Sequence, residues 1–355
     1  AALQLAEVSP RAVLAGATPR LVDEWQLAPA LWNEARHTVD ESQAKGLYIF
    51  TGSASKIDVA SLHPGSSRVI KLQMRTLSVF ESGFSSKNYS LTSLFQGVPV
   101  DAVLGVETPI DTLLEQICTG GWPAYLGLTA KQASKYHRSY LDDVVNYDLK
   151  ALEGPSDAQV AKRVLTSIAR TIGEKTPVTK IVSQVTQSGT QLRHQTAQAY
   201  ISKFESLWIT EEVSAWVPHL RSRYKVNQAS KRYFGDASLA ASALSATPER
   251  LISDLNTAGF LFENFVVSSL LTYVDFIGGQ ASHYRDESGR EVDLIVQDDQ
   301  GRWAAIEIKL GFLAVDKAAE SLLAFAGSIE YSATEKPAFL AVITNSSSSY
   351  QRHDG

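Results

Sequence analysis

Short apolar runs alternate with amphipathic stretches over the first 95 positions. RLVDEW (20–25) predicts a buried strand, LAPALWNEARHTVDES (27–42) a helix after a turn, GLYIFTGS (46–53) a second buried strand and RVIKLQMRTLS (68–78) a third. Continuous apolar runs separated by helices predict a parallel sheet covered on both faces. From about residue 96 to 155 the spacing turns helical, as in PIDTLLEQICTGGWPAYL and ASKYHRSYLDDVVNYDLKAL. Between about 158 and 210 a short helix, a polar turn and a longer helix with Tyr200, Phe204 and Leu207 on one face precede a strand. That is a helix-turn-helix outline, and it predicts a winged-helix-like module.

The period changes again after residue 250. DLNTAGFLFENFVVSSLLTYV predicts a helix, and SHYRDESGREVDLIVQDDQGRWAAIEIKLG predicts a meander with Asp-Glu-Ser-Gly and Asp-Asp-Gln-Gly turns. The helix DKAAESLLAFAGSI and the strand AFLAVITN follow, so the order is helix, three strands, helix, strand. The chain therefore reads as α/β and multidomain, in three parts: 1–95, 96–249 and 250–355.

Composition narrows the class only slightly. With 44% hydrophobic and 20% charged residues among 355, the chain is of ordinary globular type. The single Cys118 excludes an internal disulfide framework and a multi-thiolate zinc site. No apolar run suggests a bilayer span or a signal core, so a cytoplasmic location without a membrane partner is expected. The net charge of −5 gives no global attraction to nucleic acid, and any such contact must come from a local patch.

The C-terminal region carries the sharpest candidate chemistry. Strand alternation puts Glu307 and Lys309 on one face, and Asp293 on the preceding strand of a hairpin falls beside Glu307. Glu263 lies on the apolar face of the helix with Val266, Val267 and Leu270, where a carboxylate needs a cationic or metal partner. Asp293, Glu307 and the Ile308 carbonyl suit Mg²⁺ or Mn²⁺, with Lys309 orienting or deprotonating a water. The pair EVD and EIK resembles the PD-(D/E)XK, restriction-endonuclease-like superfamily. The alternative is a buried ion network that only holds the sheet together.

RLVDEW also resembles a Walker B motif, with Asp23 directed to Mg²⁺ and Glu24 to the attacking water. YIFTGS resembles the neighbouring sensor strand, with Thr51 or Ser53 directed to a γ-phosphate, and Arg68 in SSRVIKL is the candidate nucleotide-sensing arginine. Together with LSVFESG, GGWPAYL, YLDDVVNYD and KRYFGDASLA these segments resemble a widespread prokaryotic group. In it an AAA-type ATP-binding domain precedes an uncharacterised C-terminal domain with winged-helix and restriction-endonuclease-like parts. The resemblance implies a truncated AAA-type parallel sheet in 1–95, ATP as cofactor and, by analogy alone, a homo-oligomer. One departure is that no G-x-x-x-x-G-K-[ST] phosphate loop occurs in the 355 residues. The expectation is that the loop lies upstream of Ala1, that the chain alone binds ATP poorly, and that the last strand of the family is also missing.

A basic segment, HLRSRYKVNQASKRY, offers Arg221, Arg223, Lys225, Lys231 and Arg232 to DNA phosphates, with Tyr224 and Tyr233 interleaved. The functional expectation is an AAA-type ATP-binding protein coupled to a DNA-facing, nuclease-like domain. Its rivals are a Mg²⁺-dependent nuclease acting in its own right and a non-catalytic DNA or protein scaffold with vestigial sites.

Overall fold

The computed structural model describes residues 2–52, 68–105, 108–218, 229–286, 288–330, 334–346 and 348–354. The fold is mixed α/β, about half helical, with small sheets. The chain divides into two compact units, Ala1–Met74 and Arg75–Gly355.

In the first unit, helices α1 (Ala2–Val8) and α2 (Pro10–Leu14) precede strand β1 (Arg20–Val22), helix α3 (Pro29–Ser42) and strand β2 (Tyr48–Phe50). Pro29 stands at the first turn of α3, where its missing N–H costs no hydrogen bond, and Gln43 closes the helix in the left-handed region. β1 and β2 run parallel, with Arg20 opposite Tyr48 and Val22 opposite Phe50. Trp25 and Trp32 stack at 4.9 Å between centroids in a core with Val22, Leu31 and Ala35.

Two expectations fail here. Among the described residues the sheet is covered on one face: Leu21 and Ile49, which alternate with the core-facing positions, are 61% and 52% exposed. RVIKLQMRTLS forms no strand, and Ile70, Leu72 and Met74 are exposed. Among the described residues this unit has a two-stranded sheet, and an apolar run without a neighbouring strand has no ladder to join.

The second unit opens with α4 (Leu91–Phe95), β3 (Val103–Leu104), α5 (Ile110–Thr119), α6 (Ala130–Asp143), α7 (Ala158–Arg170), α8 (Val178–Gln187) and α9 (His194–Ser206). Strands β4 (Thr210–Val213) and β5 (Lys231–Phe234) then pair antiparallel, with Thr210 opposite Phe234 and Val213 opposite Lys231. Helices α10 (Ala237–Ala243), α11 (Pro248–Ser253) and the 22-residue α12 (Leu255–Phe276) follow. Caps fix several of these starts: the Asp157 side chain accepts from Gln159 and Val160 N–H, and Asp236 accepts from Ser238 N–H.

The last elements appear in the order read from the sequence: α12, β6 (Gln280–Arg285), β7 (Glu291–Gln297), β8 (Trp303–Ile308), α13 (Val315–Ser328) and β9 (Leu340–Ile343). The sheet order is β6-β7-β8-β9, with two antiparallel pairings and then a parallel one. Both faces are covered. Leu294, Val296, Ala304 and Ile306 join the main core with α12, while Ile295, Trp303 and Ala305 pack with Trp216, Leu322 and Phe325.

α12 is long and apolar enough to cross a membrane by length and composition, which the run lengths had not suggested. It serves as the central core helix: Ala258, Leu261, Phe262 and Val267 are buried, and so are the polar Glu263 and Asn264. Those two polar residues build the site.

Candidate functional site

A buried polar residue on a core helix must find partners, and β5 supplies them. The Asn264 side chain accepts from Phe234 N–H at 2.7 Å and donates to Phe234 C=O at 3.0 Å, which clamps β5 against α12. β5 is extended, so Lys231 and Tyr233 share the opposite face from Arg232 and Phe234 and reach Glu263. The Tyr233 hydroxyl donates to Glu263 Oε1 at 2.7 Å, and Lys231 Nζ stands 3.5 Å from the same atom. Gly173, at φ +72°, lies against this carboxylate; a Cβ there would fall 2.9 Å from Glu263 Oε1. Only glycine allows that close approach.

The hairpin brings the other acids. β7 and β8 pair Leu294 with Ile306, and one further step along that ladder are Asp293 and Glu307. Lys309 Nζ joins them, 2.8 Å from Asp293 Oδ2 and 2.6 Å from Glu307 Oε2, and Ile308 N–H donates to Asp293 Oδ2 at 2.9 Å. Asp293 Oδ1 faces Lys231 Nζ at 3.4 Å, and Glu291 Oε1 is 2.9 Å from that ammonium. Four carboxylates and two ammonium groups thus meet on α12, β5, β7, β8 and the residue after β8. The cluster opens into a cavity of about 550 Å³ whose lining includes Lys175, Arg285, Arg290 and Ser321.

Burial and mutual charge set the protonation of the cluster. Burial pushes Glu263 up to about 7, with Lys231 opposing and the Asp293 charge adding to the rise. Burial and then Asp293 push Glu307 up to about 7 against the pull of Lys309. Burial would raise Asp293 as well, but Lys231 and Lys309 outweigh it and hold this carboxyl below its ordinary range. For both lysines burial favours the neutral amine, and the surrounding carboxylates outweigh it and raise them above the ordinary lysine range. The surrounding carboxylates thus favour the ammonium form of Lys309, which donates to Asp293 and Glu307. Among the described residues no group of three His, Cys, Asp or Glu side chains could hold a metal ion, and the two ammonium groups stand between these carboxylates.

The structure thus brings Glu263, Asp293, Glu307 and Lys309 together. It adds Lys231, Tyr233 and Glu291, which the sequence reading missed in this role. Lys231 and Tyr233 had been read as part of a basic surface; their i, i+2 spacing on a strand was the available signal. Lys231 is in fact 1% exposed, and Arg232 is also buried, donating to Glu212 at 2.8 Å and to the Thr176 carbonyl at 2.8 Å. Neither presents the phosphate-gripping surface expected of it, because each is drawn inward by a carboxylate. Arg221, Arg223, Lys225 and Ser53 lie outside the described residues. His283 is fully buried, with Nε2 3.1 Å from the Ala229 carbonyl oxygen.

In the first unit the Thr51 hydroxyl donates to Asp23 Oδ1 at 2.7 Å, so the two strands place these residues side by side. Glu24 is exposed in the left-handed region and accepts from the Gln26 amide. The Arg68 guanidinium is engaged by Asp40 near the end of α3, which lowers the Asp40 carboxyl.

Comparison with known proteins adds two matches. Residues 110–250 match a domain of unknown function, DUF8612, and residues 258–355 match a second, DUF4143, a domain found at the C-terminus of AAA-type ATPases. No curated protein and no solved structure matches the chain. Lys231 and Tyr233 lie in the first matched region and all four carboxylates in the second, so the cluster is shared between the two.

Proposed function

We propose that the chain serves an AAA-type, ATP-driven protein and that its carboxylate–lysine cluster is a divalent-cation-dependent phosphodiester hydrolase site facing DNA. The observation that carries this reading is Lys309, whose ammonium bridges Asp293 and Glu307 at 2.8 and 2.6 Å on the open side of the cluster. The order of α12, β6, β7, β8, α13 and β9 supports the restriction-endonuclease-like resemblance. The C-terminal match supports the association with an ATPase. The Asp23–Thr51 pair supports a nucleotide site in the first unit.

The donors are of the kind a hard cation takes, but the ammonium groups already stand between these carboxylates, so an ion would have to compete with Lys309 for Asp293 and Glu307. Four carboxylates against two ammonium groups leave an excess of negative charge, and the donors are all oxygen. Asp293 and Glu307 would hold Mg²⁺ or Mn²⁺; when bound, such an ion supplies charge neutralisation and a water of lowered pKa. The chain's own groups do the rest. Lys309 donates to a phosphate oxygen while fixing the two carboxylates, and Lys175, Arg285 and Arg290 at the cavity attract the polyanion. Mn²⁺-dependent nicking of supercoiled DNA that is lost in Asp293→Ala tests this reading; nicking retained in that variant counts against it.

A second reading has its own observation. Lys231 and Lys309 already satisfy the carboxylates, as in an ion network that only fixes the fold. On that reading the chain is a scaffold, and wild type and variant are equally inactive.

A further inference from the structure

Helices α7, α8 and α9 pack against one another, and a polar turn at 188–193 joins α8 to α9. α7 braces that turn: the Arg163 guanidinium donates to the Ser188 carbonyl at 2.8 Å and to the Thr190 hydroxyl. The inner face of α9 is pinned along its length. Ala197, Tyr200, Ile201 and Phe204 lie in the main core, and the Tyr200 hydroxyl donates to the Asp157 carbonyl at 3.1 Å. The buried Lys203 ammonium donates to the carbonyls of Leu149, Leu152 and Pro155 at 2.8, 2.9 and 2.8 Å. A helix held this way presents one fixed outward face.

That face is polar and carries no carboxylate. Gln191, Arg193, His194, Gln195, Gln198 and Ser202 are exposed, and positions 191, 195, 198 and 202 recur at helical spacing. From Lys175 to Phe204 the sequence contains no Asp or Glu, in a chain whose net charge is −5. The acids that flank this stretch are engaged elsewhere: Glu174 pairs with Lys180 at 2.7 Å, and Asp157 caps α7. Among the described residues neither Arg163 nor Arg193 has a carboxylate partner, so two guanidinium charges stand uncompensated at the turn.

Duplex DNA matches both the charge and the side chains of this face. In the major groove a glutamine amide pairs with adenine N6 and N7 and an arginine with guanine O6 and N7. The second helix of a helix-turn-helix reads those edges with its N-terminal residues, which is where α9 is exposed. The exposed Thr179, Ser183, Thr186 and Gln187 of α8 carry hydroxyls and an amide that suit phosphate oxygens. We infer that α9 is a DNA-reading helix: Arg193, Gln195 and Gln198 enter the major groove of a duplex, and Arg163 and the outer side of α8 face its phosphates. This rests on the DNA-facing reading proposed above for its class of partner, and it uses neither the carboxylate cluster nor a metal ion.

The test selects duplexes from a random-sequence library with the full chain in EDTA at low salt, and then measures the recovered duplex by fluorescence anisotropy. Wild type is expected to enrich one sequence and to bind it more weakly as salt rises. The double variant Gln195→Ala, Gln198→Ala and the single variant Arg193→Glu change exposed side chains only. Each should weaken binding by at least about ten-fold, and the double variant should relax the selected sequence. Arg138→Glu makes the same charge change at an exposed position of α6 and should cost less than about two-fold. No enrichment by folded wild type, an unchanged sequence in the double variant, or an equal loss in Arg138→Glu overturns the inference. So does single-stranded DNA or RNA bound as tightly as the duplex. Sequence-selective binding by a protein that never nicks DNA upholds α9 and removes the hydrolase reading. Nicking that is lost in Lys309→Ala while the α9 variants bind as wild type does the reverse.

Discussion

Tyr233 donates its phenolic hydrogen to Glu263 Oε1 at 2.7 Å, and both side chains are buried. Tyr233→Phe keeps the ring and removes only this bond. Because the acceptor is a carboxylate with little access to water, the variant is expected to lose about 1.5–3 kcal/mol. Urea unfolding monitored by circular dichroism measures it; a loss near zero would mean that the hydroxyl does not hold Glu263.

Asn264 is the clamp beside that bond. Asn264→Ala leaves the Phe234 N–H and C=O without their side-chain partner, and the expected cost is on the order of 3 kcal/mol. Amide hydrogen exchange at Phe234 should accelerate in the variant more than exchange in β7 or β8. Uniform acceleration would show that the clamp acts on the whole unit and not on β5.

The strand order of the C-terminal region was legible in the sequence because the turns carry Asp and Gly and the apolar periods change sharply at each boundary. Glu307 and Lys309 followed from strand alternation, and Asp293 from the hairpin that sets its strand beside Glu307. Lys231 did not: a lysine in a run of cations reads as surface, and only the long-range packing of α12 on β5 shows that its neighbours are acids. RVIKLQMRTLS failed for the complementary reason. An apolar run specifies a strand only where a partner strand exists, and partners are not written locally.

Glu307 makes stability depend on pH. Burial and the Asp293 charge raise it from 4.5 to about 7, so the folded chain holds this proton more tightly than the unfolded chain. Its contribution is fully present below pH 4.5 and lost as pH rises through about 7. Glu307→Gln, which cannot ionise, should therefore be more stable than wild type at pH 8, by up to about 3 kcal/mol. The gain should vanish at pH 4.5. Thermal melts of both proteins at the two pH values check it, and equal stability throughout would contradict it.

His283 acts in the acid range. Burial first, and then the charge of Lys231, lowers it from 6.5 to about 4 against the favourable bond to the Ala229 carbonyl. The unfolded chain takes up this proton first, so stability is full above pH 6.5 and falls as pH drops towards 4. The expected loss attributable to this ring is on the order of 3 kcal/mol. His283→Gln should flatten that part of the pH–stability curve; a slope unchanged from wild type would assign it to other groups.

The most direct test of the proposed site is the rate of Mn²⁺-dependent nicking of supercoiled DNA by purified wild type and Lys309→Ala, each first shown to be folded. The account predicts nicking by wild type that chelation abolishes, and a loss of at least about 100-fold in Lys309→Ala. Equal rates in the two proteins, or no nicking by folded wild type, would contradict it.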